Sequence, residues 1–209
     1  KLKILNIVYM LKLISDLDKA TLLWIHQYVT NPIFDLSMPF ITNEENWIFP
    51  ILFLFLFLGF KSGKRGRITL VLLIIALSIT DSVCAQILKP LFERIRPSHL
   101  NMEGLNLLVP RGGKWSMPSN HAANMFTLAV VLSYFYRKTS LTIYSLALVV
   151  SFSRVYVGVH FPGDIIIGAL LGYTTSWVVL TFWVILKMRE LKKGKTWVWY
   201  EDQPPIFKY

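Results

Sequence analysis

Residues 153–164 read Ser-Arg-Val-Tyr-Val-Gly-Val-His-Phe-Pro-Gly-Asp and join two long apolar segments of the chain. Charged groups at such a boundary cost free energy unless they are paired or hydrated. His160 precedes Asp164 by four residues, and the proline and glycine between them break any helix, so a tight turn can fold the carboxylate back onto one imidazole nitrogen. That contact would fix the tautomer and leave the other nitrogen free to attack. Arg154 adds a planar cation suited to phosphate. The stretch therefore indicates a nucleophile, its orienting group and an anion-binding residue.

The composition indicates that this stretch lies in a membrane protein. The chain has 209 residues, which suits a single domain, and it is 54% hydrophobic with a mean hydropathy of +0.50. A net charge of +10 can indicate binding to nucleic acid. In a chain with long apolar runs it instead indicates basic cytoplasmic loops and anionic lipid, so no nucleic-acid partner is expected. The single cysteine, Cys84, excludes an intramolecular disulfide and disfavours a thiol-based metal site.

The hydrophobic pattern predicts an all-α fold, a polytopic membrane helix bundle with five transmembrane helices. Several apolar runs are shorter than the roughly 20 residues that cross the hydrocarbon, so flanking motif residues must complete them. The predicted spans cover residues 47–60, 68–88, 122–136, 141–153 and 165–186. They belong to a catalytic core at 47–187, which is followed by a basic, aromatic cytoplasmic tail at 188–209.

Residues 1–46 are predicted to form amphipathic helices that lie at the membrane interface. Residues 1–14 are apolar but too short to span, and residues 16–29 carry Asp18 and other polar groups among apolar neighbours. A tilted helix made from part of residues 1–30 is the competing interpretation and would add a sixth span.

The positions of the basic residues orient the predicted bundle. Clusters of lysine and arginine lie at residues 61–67, 137–138 and 187–195, and five spans place all three clusters on one side. The positive-inside rule makes that side cytoplasmic. The opposite side receives residues 89–121 and 154–164, which hold nearly every residue that is a candidate for catalysis or anion binding. The sequence therefore predicts one site on the non-cytoplasmic face.

The loop between the second and third spans offers two further groups of residues. Lys89 and Arg96 are seven residues apart, so in a helical segment they would lie on one face and bind the same anion. Ser119 or Asn120 is a suitable N-cap for the third span, and the first free amides of that helix would point at a bound phosphate. His121, in the opening turn, can donate a proton to a leaving oxygen.

Each of these residues also has an ordinary structural interpretation. The basic side chains Lys89, Arg94 and Arg96 can snorkel toward lipid headgroups. The serine can be a plain helix cap, and a lone histidine such as His26 is more often a packing or surface residue. Asp81, inside the second predicted span, can be an internal hydrogen-bond partner or a catalytic group. The joint occurrence of so many candidates favours the functional interpretation.

Three motifs together resemble a known family. They are Lys89-x6-Arg96-Pro97, Pro118-Ser119-Asn120-His121 and Ser153-Arg154-x5-His160-x3-Asp164. Their order and spacing are similar to the three-part signature of the type 2 phosphatidic acid phosphatase superfamily, across residues 89–164. Asn120 is a departure, because the family most often has glycine there. Asparagine tolerates a left-handed backbone better than most residues do, so the departure is a mild one.

The resemblance implies a role for each motif residue. His160 would be the nucleophile that forms a phosphohistidine, Asp164 would orient it, and His121 would protonate the leaving group. Fixed cations neutralise a phosphoryl group without a metal, so no metal or other cofactor is expected. The residues expected to hold the phosphoryl oxygens are Lys89, Arg96, Arg154, Ser119 and Asn120.

The resemblance also implies an activity and a location. We expect a multi-pass lipid phosphatase of the bacterial cytoplasmic (inner) membrane, embedded in that membrane, with its site facing the periplasm. Its partner would be a phosphorylated membrane lipid. Lipid A 1-phosphate, undecaprenyl diphosphate, phosphatidylglycerophosphate and phosphatidic acid are the candidates. The short chain is similar to the bacterial envelope branch, and within it we favour the lipid A 1-phosphatase group.

Two other classes of protein are the alternatives. A metal-dependent membrane hydrolase would use His121, His160 and Asp164 as ligands, but three crowding basic residues would repel the metal ion. A non-catalytic transporter of lipid phosphate or another anion would need the cations for binding. It would have no need for the arrangement of two histidines and an aspartate.

Overall fold

The fold is a bundle of α-helices, as the apolar pattern predicts. The computed structural model describes residues 2–201, with side chains for residues 9, 10 and 12–201. Residue 1 and the last part of the predicted tail, 202–209, lie outside the described residues. The described helices are α1 (Leu2–Tyr28), α2 (Pro32–Thr42), α3 (Ile48–Leu56), α4 (Gly63–Ser82), α5 (Lys89–Phe92), α6 (Asn120–Phe135), α7 (Ser140–Tyr156) and α8 (Pro162–Lys192).

Two helical stretches within the described residues are long and apolar enough to cross a membrane. Among the described residues, the continuous helical stretch Gly63–Phe92 and helix Pro162–Lys192 qualify, with mean hydropathies of 2.3 and 1.8. A third candidate is the pair Pro32–Thr42 and Glu44–Lys61, which is bent by 67°. The described part of helix α1 is not among these candidates. Helices α6 and α7 match the predicted third and fourth spans in position, but with 16 and 17 residues they fall short of a full crossing. The membrane helices are thus confirmed, and the number of five spans stays a prediction.

Helices α6 and α8 pack against each other through two glycines of α8. A methyl group on Gly168 would lie 2.5 Å from the carbonyl oxygen of Ser119, and one on Gly172 would overlap the carbonyl oxygen of Ala123. Small residues at this spacing let helix backbones approach closely. The backbone N–H of Ser119 also donates to the carbonyl oxygen of Asp164 at 3.1 Å. The N-terminal ends of the two helices, which carry the second and third motifs, therefore lie side by side.

Two clusters of buried apolar residues hold the bundle together. One surrounds the C-terminal halves of α6 and α8 and includes Phe135, Leu180 and Trp183. Val198 is buried in the same cluster, so the described part of the predicted tail folds back onto the bundle. The other cluster surrounds residues 155–161.

The N-terminal helices pack onto that second cluster. Helix α1 buries Leu22 and Ile25 in this cluster, and its placement at the membrane interface stays a prediction. The His26 imidazole, through Nε2, lies 3.2 Å from the carbonyl oxygen of Val155 on α7. On α2, the Asp35 carboxylate accepts a 2.6 Å hydrogen bond from the hydroxyl of Tyr156. These contacts fix α1 and α2 beside the turn between α7 and α8.

The close packing of α6 and α8 can be tested with one methyl group. Gly172→Ala should lower the free energy of unfolding by about 1–3 kcal/mol, because the new methyl group must push the Ala123 carbonyl away. Thr174→Ala on the same helix is the control, since Thr174 is exposed and its change should stay within about 0.5 kcal/mol. The measurement is the thermal unfolding midpoint in detergent. Equal midpoints for the two variants would mean that the helices are not held this closely.

Candidate active site

The turn between α7 and α8 places the His160 imidazole against the Asp164 carboxylate. Nδ1 of His160 lies 3.3 Å from Oδ2 of Asp164, and the backbone N–H of Phe161 donates to the same oxygen at 2.9 Å. The two side chains are 1% and 0% exposed. The carboxylate caps the first turn of α8 and, as the sequence predicts, engages one imidazole nitrogen while Nε2 stays free.

Burial determines the protonation state of His160. Desolvation lowers the pKa of its imidazole to about 4, although the hydrogen bond and the negative charge of Asp164 act in the opposite direction. The positive charges of Arg96 and Arg154 lower this pKa further. At neutral pH the imidazole is therefore uncharged. With the proton on Nδ1, donated to Asp164, the lone pair lies on Nε2.

Arg94 contacts the other oxygen of the same carboxylate, which no motif predicted. Its Nη1 donates to Oδ1 of Asp164 at 2.8 Å, and its Nη2 donates to Oδ2 of Asp18 on α1 at 2.5 Å. The guanidinium lies 4.2 Å from the centroid of the Phe161 ring. Because the Arg94 side chain is only 18% exposed and turns into the protein, the snorkelling interpretation is wrong for it. The one hint in the sequence was Asp18, a carboxylate among apolar residues of a helix.

His121 lies in the first turn of α6 beside a second unpredicted residue. Ser119 is the N-cap of this helix, as predicted, and its Oγ accepts from the backbone N–H of Ala122 at 3.5 Å. Nε2 of His121 lies 3.3 Å from Oε1 of Glu44, a side chain that is 81% exposed. Glu44 belongs to the short segment between α2 and α3, so no local pattern connects it with His121.

Lys89, Arg96 and Arg154 come together, but not through the predicted helix. Helix α5 ends before Glu93, whose φ of 45° is left-handed, so the helical geometry assumed for residues 89–96 is wrong. Arg96 lies in extended backbone, and its Nε donates to the carbonyl oxygen of Trp115 at 3.1 Å. An irregular loop, rather than a helix face, brings Arg96 to the other cations.

A cavity of about 950 Å³ connects these groups. The polar residues that line it include Lys89, Arg96, Arg154, His121, His160, Glu44 and Asp81. The remaining walls are largely apolar and include Trp47, Ile51, Phe55, Leu77, Met125, Leu128, Leu146 and Val150. The cavity thus combines a strongly basic end with a space that suits hydrocarbon.

Asp81 lines this cavity as a hydrogen-bond acceptor. Its Oδ1 accepts from Nδ2 of Asn120 at 2.8 Å and from Nδ2 of Asn124 at 3.1 Å. These contacts favour the interpretation of Asp81 as a hydrogen-bond partner. They also direct one side-chain N–H of Asn120 toward Asp81 rather than toward a bound anion.

A metal ion has no free carboxylate at the His160 end of the site. Both oxygens of Asp164 already accept hydrogen bonds, from Arg94 on one side and from His160 and the Phe161 backbone on the other. Within residues 2–201 no group of three or more His, Cys, Asp or Glu residues could hold a metal ion. The geometry therefore does not support the ligand set of the metallohydrolase alternative.

Comparison with known proteins identifies relatives of this chain. A family model described as the PAP2 superfamily matches residues 66–187, which is more than half of the chain. The lipid A 4'-phosphatase of Bacteroides thetaiotaomicron is 33% identical over 177 residues, which cover 81% of this chain and 78% of that protein.

Two solved structures resemble the fold. The crystal structure of Aquifex aeolicus LpxE matches with a TM-score of 0.63 and 30% identity, covering 78% of this chain and 94% of that one. A transmembrane PAP2 type phosphatidylglycerolphosphate phosphatase from Bacillus subtilis matches with a TM-score of 0.60 over 81% of this chain and 85% of that one. At 22% identity the second match concerns the fold alone. The family model, the curated relative and the fold agree, and the chain belongs to the PAP2 superfamily.

Proposed function

We propose that this chain is an integral-membrane lipid phosphatase that works through a phosphohistidine at His160. The cavity carries the proposal, because His160, with Nε2 free, lines it together with three cations and a set of apolar walls. A phosphate group needs the cations and a hydrocarbon tail needs the apolar walls. A transporter would need both features as well, but not a buried neutral imidazole held by a carboxylate.

The reaction then proceeds in two steps. In the first, Nε2 of His160 attacks the phosphorus, the bond to the lipid oxygen breaks, and His121, in its protonated form, gives that oxygen a proton. Because burial and the charge of Arg154 lower the pKa of the His121 imidazole to about 3, this proton is present only once the negative phosphate of the substrate offsets the neighbouring cations. The Nδ1 proton stays in the hydrogen bond to Asp164, whose negative charge stabilises the positive imidazole of the intermediate. In the second step water attacks the phosphorus, the bond to Nε2 of His160 breaks, and the now neutral His121 takes a proton from that water, which releases inorganic phosphate and restores both histidines.

The remaining motif residues hold the phosphoryl oxygens. Lys89, Arg96 and Arg154 would neutralise the developing charge, which is the main requirement of phosphoryl transfer. Ser119, as the N-cap, fixes the first turn of α6, and the backbone amide of Asn120 would donate to one oxygen. No step in this scheme requires a metal ion or another cofactor.

The site would face the periplasm from the bacterial cytoplasmic membrane. Two cation–ring contacts support this orientation, because they lie in the cluster around the C-terminal halves of α6 and α8, away from His160. Arg65 lies 4.9 Å from the ring centroid of Tyr136, and Lys187 lies 4.2 Å from that of Trp199. These contacts gather the basic segments at one end of the bundle, which the positive-inside rule makes cytoplasmic.

Lipid A phosphate is the substrate that we propose first. The Bacteroides relative is named a lipid A 4'-phosphatase, whereas the sequence alone favoured the 1-phosphate, so an assay must offer both positions. Two carboxylates line the cavity, Glu44 beside the proposed proton donor and Asp81 beside Asn120 and Asn124. A leaving group that is itself a phosphate, as in a polyprenyl diphosphate, would be repelled by them. A phosphate monoester, whose leaving group is a neutral alcohol, would not.

A panel of purified lipids tests the activity and the substrate together. We expect phosphate release from lipid A phosphates to be fastest. Phosphatidic acid and phosphatidylglycerophosphate should be slower, and undecaprenyl diphosphate should be slowest. Because the cations Lys89, Arg96 and Arg154 supply the counter-charge, rates should be unchanged in excess chelator. No release from any lipid would contradict the phosphatase. Loss of activity in chelator that returns with zinc or magnesium would favour a metal mechanism.

The two histidines should respond differently to the leaving group. General acid catalysis contributes roughly two to four orders of magnitude, so His121→Ala should be crippled toward a lipid phosphate monoester. The same variant should recover much of that loss with a substrate that releases a nitrophenolate, which is stable without a proton. His160→Ala should show no recovery, and no acid-labile phosphoenzyme should be trapped from it. Equal rescue of both variants, or of neither, would mean that the roles are assigned wrongly.

The low pKa of His160 gives a separate, direct test. Since burial lowers the pKa of this imidazole to about 4, it should remain neutral, and therefore nucleophilic, throughout the physiological range. Protonation should appear only as the pH falls through about 4, not near the ordinary value of 6.5. The measurement is an NMR titration of the protein labelled in its histidine rings, with His160→Ala to assign the signal. Titration near 6.5 would contradict the buried, neutral nucleophile.

A further inference from the structure

We propose that Asp18 and Arg94 are positioning residues for His160, and that helix α1 thereby acts on the reaction as well as on the fold. The inference rests on the proposed function, because it concerns the charge beside the attacking imidazole. Asp18 lies outside residues 66–187, the part of the chain that the family model matches.

Four side chains form one continuous series that ends at the nucleophile. Asp18 forms an ion pair with Nη2 of Arg94, and Nη1 of Arg94 forms a second ion pair with Oδ1 of Asp164. The other oxygen of Asp164, Oδ2, contacts Nδ1 of His160. The side chains of Asp18, Asp164 and His160 are 10%, 0% and 1% exposed, so water screens these charges little. A change of charge at Asp18 is therefore felt along the whole series.

The turn that carries Asp164 is shaped to admit Asp18. The backbone N–H of Gly163, the residue before Asp164, donates to Oδ1 of Asp18 at 2.7 Å. A methyl group at position 163 would lie 2.7 Å from Oδ2 of the same carboxylate and 3.4 Å from Nη1 of Arg94. Only a residue without a side chain leaves room for this contact. The carboxylate of α1 therefore supports both Arg94 and the backbone next to Asp164.

The charges explain what Asp18 contributes to the reaction. Arg94 alone would neutralise Asp164, and the phosphohistidine, which carries positive charge on its imidazole, would then lose its counter-charge. With Asp18 on its other side, Arg94 is shared between two carboxylates, and one net negative charge remains next to His160. That charge is needed more in the transition state than before it, because the imidazole becomes positive only as it attacks. Its removal should therefore lower kcat more than it changes KM.

A purely structural role for the Asp18–Arg94 pair explains less. Helix α1 already packs Leu22 and Ile25 into the cluster around residues 155–161, and His26 contacts the carbonyl oxygen of Val155. A buried ion pair adds little net stability compared with such apolar contacts. An ion pair that served only to attach α1 to the core would also not need to involve Asp164, the carboxylate that contacts His160.

The test neutralises Asp18 without changing its shape. Asp18→Asn keeps an oxygen for the Gly163 N–H, so we expect kcat to fall roughly tenfold with KM little changed, within the range of coupling in one hydrogen-bond network. Adding Arg94→Gln removes the unmatched positive charge, so the double variant should recover most of the lost kcat. Asp16→Asn is the matched control, because Asp16 is an exposed carboxylate on the same helix and should leave kcat unchanged.

The rate of each variant is measured with lipid A phosphate and is expressed per folded enzyme. The thermal unfolding midpoint in detergent shows whether the variant is folded. An Asp18→Asn variant with the kcat of the parent overturns the inference, as does a double variant no faster than Asp18→Asn alone. If Asp18→Asn fails to fold, the double variant decides. It retains one negative charge next to His160, so a kcat more than about tenfold below the parent also overturns the inference. A parent enzyme that hydrolyses no lipid phosphate instead contradicts the proposed function itself.

Discussion

The close backbone contact between α6 and α8 is the constraint on which the site depends. Gly168 and Gly172 let the backbone of α8 rest against Ser119 and Ala123 at distances that no side chain would permit. That contact sets the N-terminus of α6, with His121, beside the N-terminus of α8, with Asp164. A wider helix separation would leave the two histidines in separate places. Helix packing in this protein is therefore also active-site geometry.

The charged groups of the site fall into two sets, three cations in the cavity and a carboxylate that is held between Arg94 and His160. The cations Lys89, Arg96 and Arg154 line the cavity where a phosphate would bind, and they repel one another until an anion arrives. The carboxylate of Asp164 is balanced on one side by Arg94 and faces His160 on the other. Burial keeps the imidazole neutral, because solvation of its charged form is lost inside the protein. The same low polarity that makes these groups costly to bury makes them effective when charge develops on phosphate.

Local chain geometry explains which parts of the site could be predicted from the sequence. The contact between His160 and Asp164 spans four residues and a Pro-Gly turn, so the chain itself brings the two groups together. Ser119 caps α6 because a serine before an apolar run satisfies the first free amides. The predicted helix from Lys89 to Arg96 is not formed, and this too has a local cause. Glu93 adopts a left-handed conformation, which hydrophobic spacing does not predict, and the helix stops before it.

The sequence by itself determined the membrane helices, the order of the three motifs and the set of candidate site residues. Only the tertiary structure decided which carboxylates support them. Arg94 meets Asp18 across 76 residues of chain. His121 lies near Glu44, which belongs to another segment. Neither hydrophobic periodicity nor motif spacing in the sequence predicts such pairs, because they depend on how α1 and the α2–α3 segment dock onto the core. Docking is decided by the fit of many buried apolar side chains at once, and no short stretch of sequence contains that information.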